Sequence, residues 1–152
     1  MRFILRSFAL LLFLLCTCIP SRAADRSIAL DEQQLLQMEQ RAEQANPRDQ
    51  CFLYTELVSA MTDLAGRQMR DGDPDRATAT LKKVAKYASL IQSSLTRDAK
   101  RLKNAEKLMH DTTYRLNQYL HSAAYEDRPT LQTALKQLNQ VQSQILTEVF
   151  SR

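Results

Sequence analysis

From Asp73 to Ala123 the apolar residues return every three and four positions, and after Pro74 no Gly or Pro interrupts them. One seam reads Ala77, Leu81, Val84, Ala88, Ile91, Leu95, Asp98, Leu102, Ala105, Met109, Thr112, Leu116, Tyr119 and Ala123, with only Asp98 and Thr112 out of pattern. That spacing suits a helix in a bundle or coiled coil. Unbroken, the segment would span roughly 70 Å, so its apolar stripe has to be covered by the rest of the chain or by a partner.

Three prolines mark helix starts. Asn46-Pro47, Asp73-Pro74 and Asp127-Arg128-Pro129 each place a capping side chain just ahead of a residue whose missing N–H costs nothing in the first helical turn. Gly72 and the polar run 124–128 are the two turns between them. The helix from Pro47 to about Arg70 carries two adjacent stripes. One is Leu53, Leu57, Ala60 and Leu64; the other is Cys51, Tyr54, Val58, Met61 and Ala65. Two stripes cannot face one neighbour, so this helix is expected in a groove between two others. The last helix, from Pro129 to about Phe150, shows a narrower face of Leu131, Leu135, Leu138, Val141, Ile145 and Val149. Ahead of these, Leu35, Met38, Ala42 and Ala45 make a modest stripe over 30–45, with Asp31 as its cap and a peripheral place in the fold.

The expected fold is all-α: an antiparallel helical bundle or elongated helical hairpin built around one long helix, about 74–123. The alternative is a break near 93–98, where Ser, Thr and Asp can cap a new helix and fold the halves into a compact bundle. Continuity is the expectation, because the apolar register crosses that point without a change of phase. Leu64-Ala65, Gly72, Ala77 and Leu81 have the spacing of a single tetratricopeptide hairpin. It does not recur, its aromatic positions hold Met61 and Gln68, and it is read as a generic helical hairpin.

The amino terminus changes the picture of where the chain works. Arg2 and Arg6, the apolar run Phe8 to Leu15, Pro20, and small residues at Ser21 and Ala23 read as a Sec-type signal peptide, residues 1–23. The apolar run is shorter than the roughly 20 residues of a membrane-spanning helix. Cys16 and Cys18 lack the small residue a lipidation site carries before its cysteine. Residues 24–29 are then a disordered leader and 30–152 a single helical domain. The destination is periplasmic or extracellular, with no transmembrane segment after cleavage.

Export alters the charge balance. The precursor has 21 basic and 17 acidic residues; losing Arg2, Arg6 and Arg22 leaves 18 against 17, a net charge of +1. The basic character of the precursor is therefore no argument for nucleic acid. One cysteine, Cys51, remains, so disulfides do not hold the domain together. It reads as a buried apolar residue on the Tyr54–Val58 stripe or as an intermolecular thiol.

Catalytic patterns are missing: there is no Gly-rich phosphate loop, nucleophile elbow or HExxH motif. His110 and His121, three turns or roughly 16 Å apart on one helix, are too distant to share a metal. The basic run Lys82, Lys83, Lys86, Arg97, Lys100, Arg101, Lys103 and Lys107 is either a solvated outer face or a surface for anions, with Lys100, Lys103 and Lys107 on one helix face. The reading that results is an exported, non-catalytic helical protein of the cell envelope, without cofactor, acting as a protein-interaction or structural module. Its partner is another protein or a second copy. The alternative is a binder of anionic ligands or membrane surface through the stripe at 82–107.

Overall fold

The computed structural model describes residues 22–96 and 98–151. Five helices follow one another: α1 (Arg22–Glu43), α2 (Pro47–Arg70), α3 (Pro74–Ser93), α4 (Leu102–Ser122) and α5 (Arg128–Phe150), with no strand among the described residues. Contacts divide the chain into two units, Met1–Glu32 and Gln33–Arg152. In the first, residues 22–32 are helical; the packing that follows is that of the second. Residues 1–21 of the expected signal peptide, 1–23, lie outside the described residues. Residues 24–29, expected as a disordered leader, and Asp31, expected as a cap, fall inside α1 instead. No Gly or Pro separates Arg22 from Asp31, and Ala, Leu and Arg there favour helix over coil.

The proline-marked starts lie where the local chemistry puts them. Asn46 Oδ1 accepts from the Arg48 N–H at 3.0 Å and Asp73 Oδ1 from the Arg76 N–H at 3.1 Å, each satisfying a donor that the first turn leaves open. Asp127 precedes α5 without a side-chain cap bond. Gly72, at φ 78°, turns the end of α2 back on itself, and the Asp73 N–H reaches the Gln68 carbonyl at 2.9 Å.

The expected long helix over 74–123 is not formed: it ends at Ser93 and resumes at Leu102. Ser93 Oγ and Ser94 Oγ donate to the carbonyls of Leu90 and Ile91 at 3.0 and 2.9 Å, occupying acceptors at the end of α3. A distant residue then holds the connection. Arg48, at the start of α2, donates through Nε to the Asp98 carbonyl at 3.1 Å and pairs with its carboxylate at 3.0 Å. The Arg48 carbonyl accepts from the Lys100 N–H at 2.7 Å. The apolar register crosses the break because the connection is itself packed. Ala99 is buried, and Leu95 lies half-buried against the core.

The break turns two halves of the chain into two helical hairpins, α2–α3 and α4–α5. In the bundle α2 packs against α3 and α4, and α5 packs against the same two, so α3 and α4 lie across a diagonal. Neighbours within a hairpin are antiparallel, as short connections require. Neighbours across hairpins are parallel: Arg101 meets Phe52, Arg115 meets Asp63 and Tyr119 meets Gly66, rising together along α4 and α2. The chain is thus the expected all-α bundle, antiparallel within each hairpin and parallel across the two.

Helix α2 is the central element. Both its stripes are buried apart from the half-buried Ala60, along with Thr55 and Thr62, whose hydroxyls return to the carbonyls four residues back at 2.8 Å and so bring no unpaired donor into the core. Thr112, out of pattern in the α4 seam, is buried by the same device, bonded to the Leu108 carbonyl at 2.7 Å. Leu35 and Ala42 of α1 join this core, with Met38 and Ala45 packed against it. Tyr87 of α3 ties three helices together: its ring lies 6.0 Å from that of Tyr54 on α2, and its hydroxyl donates to Glu39 on α1.

Candidate functional site

The basic run at 82–107 does not form one surface. Lys82, Lys83 and Lys86 are exposed on α3, whereas Lys103 and Lys107 are exposed on α4, its diagonal partner. Lys100 precedes α4 altogether. It therefore does not share a helix face with Lys103 and Lys107, and its ammonium lies 3.7 Å from Asp49 on α2. The break in the long helix is the physical reason: a stripe laid out at helical spacing is scattered when the backbone leaves the helix.

Cys51 is 0 % exposed, packed in the first full turn of α2. Burial pushes its thiol up from the ordinary 9.0 to about 11, a rise that a hydrogen bond with Ser94 partly offsets. A thiol held protonated and out of solvent reacts slowly. The candidate intermolecular thiol therefore faces the core, where a partner's sulfur has no approach while α2 stays packed.

The histidines are separately engaged. His121 Nδ1 lies 2.7 Å from the Asn117 carbonyl, and His110 Nδ1 lies 3.2 Å from the side-chain nitrogen of Gln142 on α5. Among the described residues, no group of three His, Cys, Asp or Glu side chains could hold a metal ion. The half-buried ion pair Arg115–Asp63, 2.9 Å apart, has a structural setting. Arg115 also donates to Ser59 Oγ at 2.7 Å and locks α4 to α2.

Concavities mark the described surface in several places. Between α3 and α5 an apolar groove of roughly 300 Å³ is lined by Leu81, Ala85, Pro129 and Ala134, with Lys82 and Gln137 at its polar positions. Between α4 and α5 a polar groove of roughly 380 Å³ gathers His110, Tyr114, Asn117, Asn139 and Gln142. The third, roughly 330 Å³, brings together the end of α1 (Arg41), the turn after it (Ala45, Asn46), the opening of α2 (Asp49, Phe52, Leu53) and Arg101 just before α4. Helical spacing groups residues only within one helix. Arg41 and Arg101, from elements far apart in sequence, were consequently not legible as a pair.

Among the described residues no helix is long and apolar enough to cross a membrane. Comparison with known proteins returns no match: no family model, curated protein or solved structure resembles this chain.

Proposed function

We propose that the chain is an exported, non-catalytic helical module of the cell envelope that acts by binding another protein or a second copy of itself. The supporting observation is an apolar face left in solvent on a well-packed bundle. Leu146 and Phe150 stand one turn apart on α5, and Phe150 is 80 % exposed. Burying Phe150 against a partner contributes about 1.5–3 kcal/mol, and Leu146, already part-buried, contributes less. Export rests on the signal-peptide pattern of residues 1–23. The non-catalytic reading rests on the lack of a catalytic motif in the sequence and on histidines engaged one by one.

Cross-linking of the tagged protein in its native envelope tests the proposal. One stoichiometric partner, or a second copy, is expected, and Leu146→Ser with Phe150→Ser should abolish its capture. Capture of the same partner in equal yield by that double variant would move the interface elsewhere; recovery of no protein at all would refute the reading.

A further inference from the structure

The concavity at Arg41 and Arg101 combines two arginines, an apolar lining and one side chain held by stacking. We infer that it is a binding site for a small molecule bearing an oxyanion, a carboxylate or a phosphate. Arg101 supplies the principal argument. Its guanidinium carbon lies 3.5 Å from the centre of the Phe52 ring, so the planar cation is laid flat on an aromatic surface. Stacking of this kind holds one face of the guanidinium and leaves its N–H edge free for two parallel bonds to an oxyanion.

The charge balance of the cavity points the same way. Among the described residues neither Arg41 nor Arg101 forms an ion pair. The one carboxylate in the lining, Asp49, is already engaged by Lys100 at 3.7 Å, and the neighbouring Asp98 is taken by Arg48 at 3.0 Å. Arg101 is also the residue before α4, whose first turn receives no side-chain cap. Arg101 thus stands at the positive end of a helix dipole, in a cavity that Arg41 also lines, and an oxyanion bound there would be attracted by both. Phe52, Leu53 and Ala45 give a small apolar body a surface to cover. The site is independent of the α5 face proposed above for protein contact.

Arg101 has φ 60° and ψ 25°, a left-handed conformation that favours glycine. Arg101→Gly therefore removes the guanidinium while suiting the backbone, and is the cleanest probe. The experiment is a titration of isotope-labelled protein with inorganic phosphate and, separately, with acetate, following the side-chain N–H signals of Arg41 and Arg101. Saturable shifts of both arginines are expected, with affinity weakened about tenfold or more in Arg101→Gly and in Arg41→Gln. Lys103→Gln with Lys107→Gln should leave the affinity unchanged. The tighter of the two probes assigns the ligand as phosphate or carboxylate. Backbone amide spectra establish that each variant is folded. Absence of saturable shifts with either anion, or equal loss of binding in the lysine variant, would overturn the inference.

Discussion

Helices α2 and α5 are nearly equal in length, 24 and 23 residues, yet they live in different surroundings. Fourteen residues of α2 are buried, including four polar ones, and they cover all of the helix but one face, along Asp49, Glu56, Ala60, Asp63 and Arg67, which is part-exposed. Only five are buried in α5, Leu131, Ala134, Leu138, Val141 and Ile145, and they follow alternating steps of three and four. A helix that touches neighbours on several sides keeps only a narrow face for solvent, whereas one at the rim needs a single seam. What separates the two is number of neighbours, and tolerance of change should follow it.

The largest expected effect lies in the central helix. Leu57→Ala leaves a cavity enclosed on all sides and should cost about 4–5 kcal/mol, near the top of the range for such truncations. Leu138→Ala on α5, where the rim can relax into the space, should cost about 2–3 kcal/mol. Denaturant unfolding of the two variants measures the gap. Equal losses would mean that α5 is as enclosed as α2.

A pH effect follows from the centre alone. Cys51 is raised to about 11, and Tyr54 above its ordinary value, by burial first and then by the charges of Glu43 and Glu39. Each is an acid whose neutral form the fold prefers, so the unfolded chain releases its proton first. The Cys51 contribution is intact below pH about 9 and is lost as pH climbs towards about 11, and that of Tyr54 is lost only above its ordinary 10.0. For Cys51 the loss amounts to at most about 3 kcal/mol. Urea midpoints across that window should fall for the native chain and fall less for Cys51→Ala; parallel curves would remove the thiol from the account.

A smaller effect probes how closely α2 and α4 approach. A Cβ on Gly66 would lie 2.4 Å from Tyr119 Cζ, so the alanine variant must push the ring aside. Gly66→Ala should destabilise the native chain by about 1 kcal/mol, overpacking outweighing the helix preference for alanine. In a Tyr119→Ala background the same change should stabilise by up to about 1 kcal/mol, because only the preference remains. A double-mutant cycle reads the coupling directly, and additive effects would mean that the ring does not hold this position in solution.

Local chemistry made much of this fold legible in advance. Asn46, Asp73 and the prolines after them act within one turn, and they announce α2 and α3 whatever the rest of the chain does. The two stripes of α2 likewise told of more than one neighbour, because burial on two faces requires atoms on both. In α5 the seam was nearly right, with Ala134 taking a buried place and Leu135 left half-buried.

The connection between Ser93 and Leu102 was not legible, nor was anything that depends on it. Its residues keep a helical register, and the hydroxyls of Ser93 and Ser94 permit a break without demanding one. The decision comes from Arg48, far away in the chain, which engages Asp98 and Lys100 only once α2 and α3 have paired. The same long-range step scatters Lys100 from Lys103 and Lys107, and brings Arg101 onto Phe52 beside Arg41. By itself, then, the sequence determined the helical class, the proline-marked starts and which faces seek cover, since caps and periodicity act over a few residues. Where the chain folds back, which helices run parallel and which charges meet were left to tertiary structure, because contacts between distant residues exist only after the hairpins have packed.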